Sequence, residues 1–195
     1  MPIIFVLKEM REEDFIERKR MGGRTLSIKE ITTNVLPRKI ITASIAGSLF
    51  AILFGLVTPS PFGDEINSIK AYLWAFVMVT PIYLMYSFPV IFIYGTITSI
   101  ISDLLANLIT RGKLKRMENY ISVLFHLLFG VILLWISLSA SIVYFVVDRF
   151  LMKKRDSYRW INALQSLVFP LFVWLIFMGI IWLVDFLENW PDFLV

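Results

Sequence analysis

The chain has 195 residues, of which 58% are hydrophobic and 17% are charged. Soluble domains carry roughly 45–50% apolar and about 25% charged residues. Four blocks, residues 40–63, 72–102, 119–147 and 160–184, contain no Asp, Glu, Lys or Arg. Because even the buried helices of a soluble globule keep a polar face, these blocks exclude a soluble fold and predict an integral membrane protein.

A polar segment, residues 1–39, precedes the first block and holds nine basic and six acidic residues. Gly22-Gly23 interrupts any helix in this segment, so we expect a short charged helix, a flexible break and a second short helix from Ser27 to about Val35. The apolar run at the very start is too short for the h-region of a cleavable signal peptide. We expect the segment to be cytoplasmic and largely solvated.

The charge-free blocks predict the fold, because a helix needs about 20 apolar residues to cross the hydrocarbon core of a bilayer. We expect an all-α, multi-pass membrane protein in which four transmembrane helices form a bundle over residues 40–187, followed by a short acidic tail, 188–195. The predicted spans are residues 40–58, 72–102, 120–147 and 160–184. Aromatic residues that favour the headgroup layer lie near their ends: Tyr72, Trp74, Tyr120, Tyr158, Trp160, Trp182 and Trp190.

The basic residues predict the orientation of the bundle, because cytoplasmic loops are enriched in Lys and Arg. With four spans and both termini in the cytoplasm, thirteen basic residues lie inside and six outside. This arrangement is favoured, although it leaves the loop 148–159, with five basic residues, on the outside. The alternative is a re-entrant hairpin over residues 119–147, which would place that loop inside and the acidic tail outside.

The residue types that build most catalytic and metal sites are scarce in this chain. It has no cysteine, and its single histidine, His126, argues against a protein-bound zinc or iron site. Ser137 lies 11 residues from His126, about 16 Å along one helix, so the two cannot act as nucleophile and base. We therefore predict no catalytic residue, no cofactor, no metal and no enzymatic activity.

His126, near the start of the third span, and Asp103, at the end of the second, form the most plausible proton-transfer pair. Ionisable groups inside a membrane are costly and are functional candidates by default. This pair would suit a small oligomeric channel or transporter, but we favour a structural role for His126, because no carboxylate lies within a span beside it. Asp148 and Asp185 lie at predicted helix ends, where we expect them to be solvated.

Local patterns also predict how the helices pack. The first span has a small side chain at every fourth position: Ala43, Gly47, Ala51 and Gly55. Such a face lets two helices approach closely, and we expect its partner to be another span of the same chain rather than a second copy. The second span has a similar but more polar face: Gly95, Ser99 and Ser102. Three prolines predict kinks within the spans: Pro81, Pro89 and Pro170.

The run Phe88-Pro89-Val90-Ile91-Phe92-Ile93-Tyr94-Gly95, continued by Thr98-Ser99 and Asp103, resembles the second span of a group of small uncharacterised integral membrane proteins of Gram-positive bacteria. The run Phe125-His126-Leu127-Leu128-Phe129-Gly130 resembles the start of their third span. The resemblance covers roughly residues 40–187 and leaves out the charged segment 1–39. It implies a four-helix protein of a bacterial plasma membrane and nothing catalytic.

These observations predict an integral plasma-membrane protein with a structural, interaction or accessory role. Its expected partners are the bilayer, with basic loops facing anionic headgroups, and a second copy of the chain or another membrane protein. The net charge of +4 reports orientation in the membrane rather than nucleic-acid binding.

Overall fold

The computed structural model of the chain describes residues 31–110, 115–132, 134–155 and 157–189. These residues form helices and connecting loops without any β-strand, so the predicted all-α class is confirmed. The expectations for residues 1–30 and for the tail from Trp190 onward lie outside the described residues. Within the described ranges, three helical segments are long and apolar enough to cross a membrane: Leu36–Val57, Ile69–Thr110 and Trp160–Asn189.

The described residues include two π-helical turns beside the α-helices. One, Ile31–Val35, precedes the first α-helix, and the other, Ile91–Gly95, joins the second α-helix to the third. The α-helices in chain order are α1 (Leu36–Val57), α2 (Ile69–Val90), α3 (Thr96–Thr110), α4 (Lys115–Ile132), α5 (Leu134–Lys154), α6 (Trp160–Ser166) and α7 (Val168–Asn189).

Helix α1 lies at the centre of the bundle and contacts α2, α5, α6 and α7. Its small side chains face α2, and the two backbones approach closely there. A Cβ atom on Gly47 would lie 2.8 Å from the ring of Phe88, and one on Gly55 would lie 2.6 Å from the hydroxyl of Thr80. The partner of the small-residue face is thus a helix of the same chain, as predicted.

Helices α2 and α3 continue each other through the π-helical turn and together make a helical segment of 42 residues. Pro89 has no N–H to donate, and its ring crowds the carbonyl of Met85 one turn earlier. The widened turn Ile91–Gly95 follows directly, so the proline accounts for the irregularity. A segment of this length spans about 63 Å, twice the hydrocarbon core, and must tilt, bend or extend beyond it.

The predicted uninterrupted span over residues 120–147 is wrong, because this region forms two helices. α4 and α5 pack antiparallel against each other, and we call the pair the hairpin. Close to its tip, a Cβ atom on Gly130 would lie 2.8 Å from Cβ of Ser141. Ser141 Oγ also donates a hydrogen bond of 2.8 Å to the carbonyl of His126. The structure thus contains the helical hairpin that the sequence left as an alternative.

The last helical segment breaks between α6 and α7. Pro170 has no N–H for the carbonyl of Ser166, and the helix is interrupted at Leu167. Tyr158, which we predicted to lie at the headgroup layer, is buried and donates a hydrogen bond of 3.0 Å to the carbonyl of Leu151.

Five helices meet at one end of the bundle, where α1, α4 and α6 begin and α3 and α5 end. Among the described residues, Lys70 at the start of α2 lies at the opposite end. We call the first end the basic end, because most of the described Lys and Arg residues lie there, including Arg38, Lys39, Arg149, Lys153, Lys154, Arg155 and Arg159. The loop between α1 and α2 and the end of α7 lie at the opposite end. There Gly63 has φ of 87°, a left-handed conformation that favours glycine at this turn.

Candidate functional site

The most unusual side chain in the structure is Lys39, on the first turn of α1, which is wholly buried. Its ammonium group lies 2.6 Å from Ser99 Oγ, 2.7 Å from Asp103 Oδ2 and 2.8 Å from Asp148 Oδ2. An ammonium group has three N–H donors, so each of them has an acceptor here. Two of the three acceptors are carboxylates, which makes these bonds charge-assisted.

Both carboxylates have further partners. Asp148 is only 2% exposed and accepts a hydrogen bond of 3.1 Å from Arg38 Nε through Oδ1. Asp103 Oδ1 lies 2.7 Å from Ser122 Oγ and 3.2 Å from Arg149 Nη2. Five charged residues are thereby linked, and we call them the ion cluster: Arg38, Lys39, Asp103, Asp148 and Arg149.

The ion cluster fastens the hairpin to the rest of the bundle. α1, α3 and α5 each contribute charged members, and Ser122 brings α4 into contact with Asp103 and with Arg149 Nη2, the latter at 2.7 Å. Beside the cluster, the hydroxyl of the buried Tyr144 on α5 donates to the carbonyl of Lys39 at 3.1 Å. Both ends of the hairpin sequence are therefore held at the basic end.

The ion cluster contains three cations and two carboxylates, so its formal charge is +1. Removing charges from water is costly, and in a buried site only pairing and hydrogen bonding compensate for that cost. Here the side chains of Lys39 and Asp148 are almost completely shielded from solvent, while those of Arg38, Asp103 and Arg149 are each less than a fifth exposed. Because these contacts join charged side chains of different helices, the cluster holds α1, α3 and α5 together.

The structure brings the predicted pair His126 and Asp103 to the same region but does not hydrogen-bond them. Asp103 is taken up by the ion cluster, whereas the His126 ring packs 5.5 Å from the Tyr144 ring and 5.9 Å from that of Phe145. The expectation that Asp148 is solvated is wrong, since Lys39 and Arg38 enclose it. Asp185, in contrast, is exposed, as expected.

Sequence reasoning missed Arg38, Lys39, Asp148 and Arg149 as members of a site. Their positions in the sequence could have indicated them, because each lies at or next to the edge of a charge-free block. Charges at block edges meet only if those edges lie at the same end of the bundle. The hairpin puts them there, and a four-span bundle does not, because it sends Asp148 to the opposite side.

A cavity of about 740 Å³ lies between α1, α2, α3 and the hairpin, and it also borders the loop at the opposite end. Its walls are largely apolar, and aromatic rings make up much of them: Phe50, Phe54, Tyr83, Tyr86, Tyr94 and Tyr144. His126 is 96% buried and also borders the cavity. None of the five ion-cluster residues lines the cavity, but Tyr144, which does, donates a hydrogen bond to the carbonyl of Lys39.

The chain matches no family model, no curated protein and no solved structure. The resemblance to small membrane proteins of Gram-positive bacteria consequently stays an expectation.

The side chains that could carry chemistry in this region are engaged with one another or with the backbone. In the parts of the chain that the structure describes, no group of three or more His, Cys, Asp or Glu residues could hold a metal ion. The carboxylates of Asp103 and Asp148 are engaged by Lys39 and by arginines. The hydroxyl of Ser141 donates to a backbone carbonyl rather than facing a base.

Proposed function

We propose that the chain is an integral plasma-membrane protein in which α1, the α2–α3 segment and the α6–α7 segment cross the bilayer and the hairpin re-enters it from the basic end. The apolar part of α4, Asn119–Val131, has 13 residues. It is therefore about 20 Å long, short of the roughly 30 Å core. The hairpin dips into the membrane without crossing it.

The distribution of basic residues supports this topology with the basic end in the cytoplasm. Eighteen of the nineteen Lys and Arg residues then lie inside, and only Lys70 lies outside. The favoured four-span arrangement leaves six outside. The N-terminus is cytoplasmic and the C-terminus lies on the opposite side. This changes our sequence-based expectation for the C-terminus.

Within this topology, we assign the protein a structural, interaction or accessory role in a bacterial plasma membrane rather than an enzymatic one. The observation that carries this proposal is the ion cluster, whose charges contact one another and hold a non-crossing hairpin in place. Charged groups that contact one another in this way have a structural role. At the rim of the basic end, exposed cations are suited to anionic headgroups: Lys153, Lys154, Arg155 and Arg159.

A second candidate function is a small oligomeric channel or transporter that uses the His126 and Asp103 region. One observation favours it. His126 borders the cavity, and its ring packs against that of Tyr144, whose hydroxyl donates to the carbonyl of Lys39 beside the ion cluster. A proton could be exchanged between the cavity and the ion cluster only if His126 titrates and its ring reorients.

Proton flux in reconstituted vesicles separates the two candidates. We expect purified protein in vesicles with an imposed pH gradient to conduct no more protons than protein-free vesicles. We expect His126→Gln, which retains hydrogen bonding but cannot carry a proton, to behave identically. A flux that is present in the wild-type chain and absent in His126→Gln would contradict the accessory role and favour the transporter.

A further inference from the structure

The cavity has the dimensions and walls of a ligand site. Its volume of about 740 Å³ falls within the roughly 300–1,000 Å³ of small-molecule pockets, which combine apolar walls with a few polar groups. Such walls alone would fit any apolar occupant. The polar groups on them are therefore the features that define what binds.

Two polar side chains on these walls define what could bind. On α2, Ser87 Oγ is buried and lacks a hydrogen-bond partner within the described chain. Leaving a buried polar group without a partner is costly, so Ser87 favours an occupant with a hydrogen-bonding atom. His126, which is 96% buried and whose ring packs against those of Tyr144 and Phe145, adds a second polar group on the cavity wall.

The placement of the cavity restricts the chemistry of that occupant. It extends from the loop at the opposite end, beside Phe62, to His126 in the hairpin. A phospholipid entering from the opposite leaflet would keep its headgroup at the membrane face and present only the end of an acyl chain to His126. A molecule that pairs with the imidazole must instead be uncharged, soluble in lipid, and polar at one point.

We propose that this cavity binds a neutral, lipid-soluble ring compound that carries a carbonyl or hydroxyl oxygen, of the quinone or phenol class. The aromatic walls would stack against the ring, and His126 would donate its N–H to the oxygen. This inference rests on the proposed placement of the chain in a bilayer. Its test in detergent micelles does not depend on that topology.

The test compares two compounds of nearly equal shape, 2-methyl-1,4-naphthoquinone and 2-methylnaphthalene, by the thermal stability of the purified full chain. A ligand that binds only the folded state raises Tm, by about 5–11 °C at a hundredfold excess over Kd for a chain of this size. We expect the quinone to produce such a rise and the hydrocarbon, which has no oxygen, to bind about tenfold more weakly.

Two variants locate the effect. In His126→Leu we expect the two compounds to become equivalent, because the donor is lost, whereas His126→Gln retains an N–H donor and preserves the preference for the quinone. In Ser137→Phe, which fills part of the cavity, we expect both shifts to disappear. Equal shifts in the wild-type chain, no shift with either compound, or a preference that survives in His126→Leu or Ser137→Phe would overturn the proposal. Failed topology mapping with a retained quinone preference would contradict only the membrane arrangement.

Discussion

Helix α1 is held in the bundle by two contacts of opposite character. Along most of its length, small side chains let it approach α2 without any charge, and Gly47 and Gly55 lie directly against side chains of that helix. At its first turn, Arg38 and Lys39 bind Asp103 and Asp148 in a charged, buried cluster. The first contact depends on shape and the second on pairing, so they should respond differently to substitution.

The contrast explains what each contact does for the fold. Small-residue packing joins α1 and α2, two long helices that follow each other in the sequence. The ion cluster instead joins Lys39 to Asp103 and Asp148, which lie 64 and 109 positions further along the chain. It fixes a hairpin whose first helix has an apolar part of only 13 residues, Asn119–Val131. Close packing thus assembles the helices that we propose cross the membrane, whereas charge pairing positions the hairpin.

The largest expected effect is the loss of Lys39. In Lys39→Met, Asp103 and Asp148 lose their shared buried cation, and removing one partner of a buried pair destabilises by about 3–5 kcal/mol. The free energy of unfolding in detergent measures this loss. Lys70→Met, at an exposed position, is the matched control and should change the free energy by less than about 0.5 kcal/mol.

A double variant sharpens this prediction. If the cost arises from unpaired charge rather than lost packing, Lys39→Met combined with Asp148→Leu should recover part of the stability, because a buried ion pair is often replaceable by apolar residues. Equal stability of wild type and Lys39→Met would show that the ion cluster does not hold the hairpin.

The next effect concerns the small-residue contact. Gly47→Leu combined with Ala51→Leu places side chains where α2 leaves no room, and overpacking typically costs about 1–3 kcal/mol per site. Gly179→Leu is the control, because a Cβ atom at Gly179 has no neighbouring atom within 4 Å. Tm measured in the same detergent should fall for the double variant and not for the control. An unchanged Tm would mean that α1 and α2 do not approach as closely as described.

The smallest effect concerns the tip of the hairpin. Tyr94 donates a hydrogen bond of 2.9 Å to the carbonyl of Phe129, and Tyr94→Phe should cost about 0.5–1.5 kcal/mol. Tyr86→Phe serves as the control, since Tyr86 is 71% exposed. Hydrogen exchange at the backbone of α4 should quicken in Tyr94→Phe alone. Equal exchange in both variants would remove this bond from the contacts that hold the hairpin.

These two regions also differ in how far the sequence predicts them. The small-residue face follows from residues spaced four apart on one helix, so Gly47 and Gly55 could be assigned to a packing surface without a structure. The ion cluster depends on contacts between residues far apart in the chain. In the sequence, Lys39 is simply the end of a charged segment, and Asp148 is expected to be a solvated residue at a helix end. Their pairing becomes apparent only when the two helices are placed side by side.

The break at the tip of the hairpin was equally hard to predict. The residues from Gly130 to Trp135 are uniformly apolar apart from the glycine and include no proline. Hydropathy is the same for a straight span and for a hairpin that turns back. A block of 29 residues is too long for one span and too short for two. Only the five basic residues in the loop 148–159 favoured the hairpin, because they belong on the cytoplasmic side.

The most direct test of the account is the side of the membrane on which the C-terminal end of the hairpin and the end of α7 lie. The chain has no cysteine, so single cysteines at three exposed positions, Asp64→Cys, Ser157→Cys and Glu188→Cys, can be probed with a membrane-impermeant thiol reagent on intact cells. We predict labelling at positions 64 and 188 and protection at position 157, which should be labelled only after lysis. Labelling at 157 together with protection at 188 would contradict the re-entrant hairpin and restore four crossing helices.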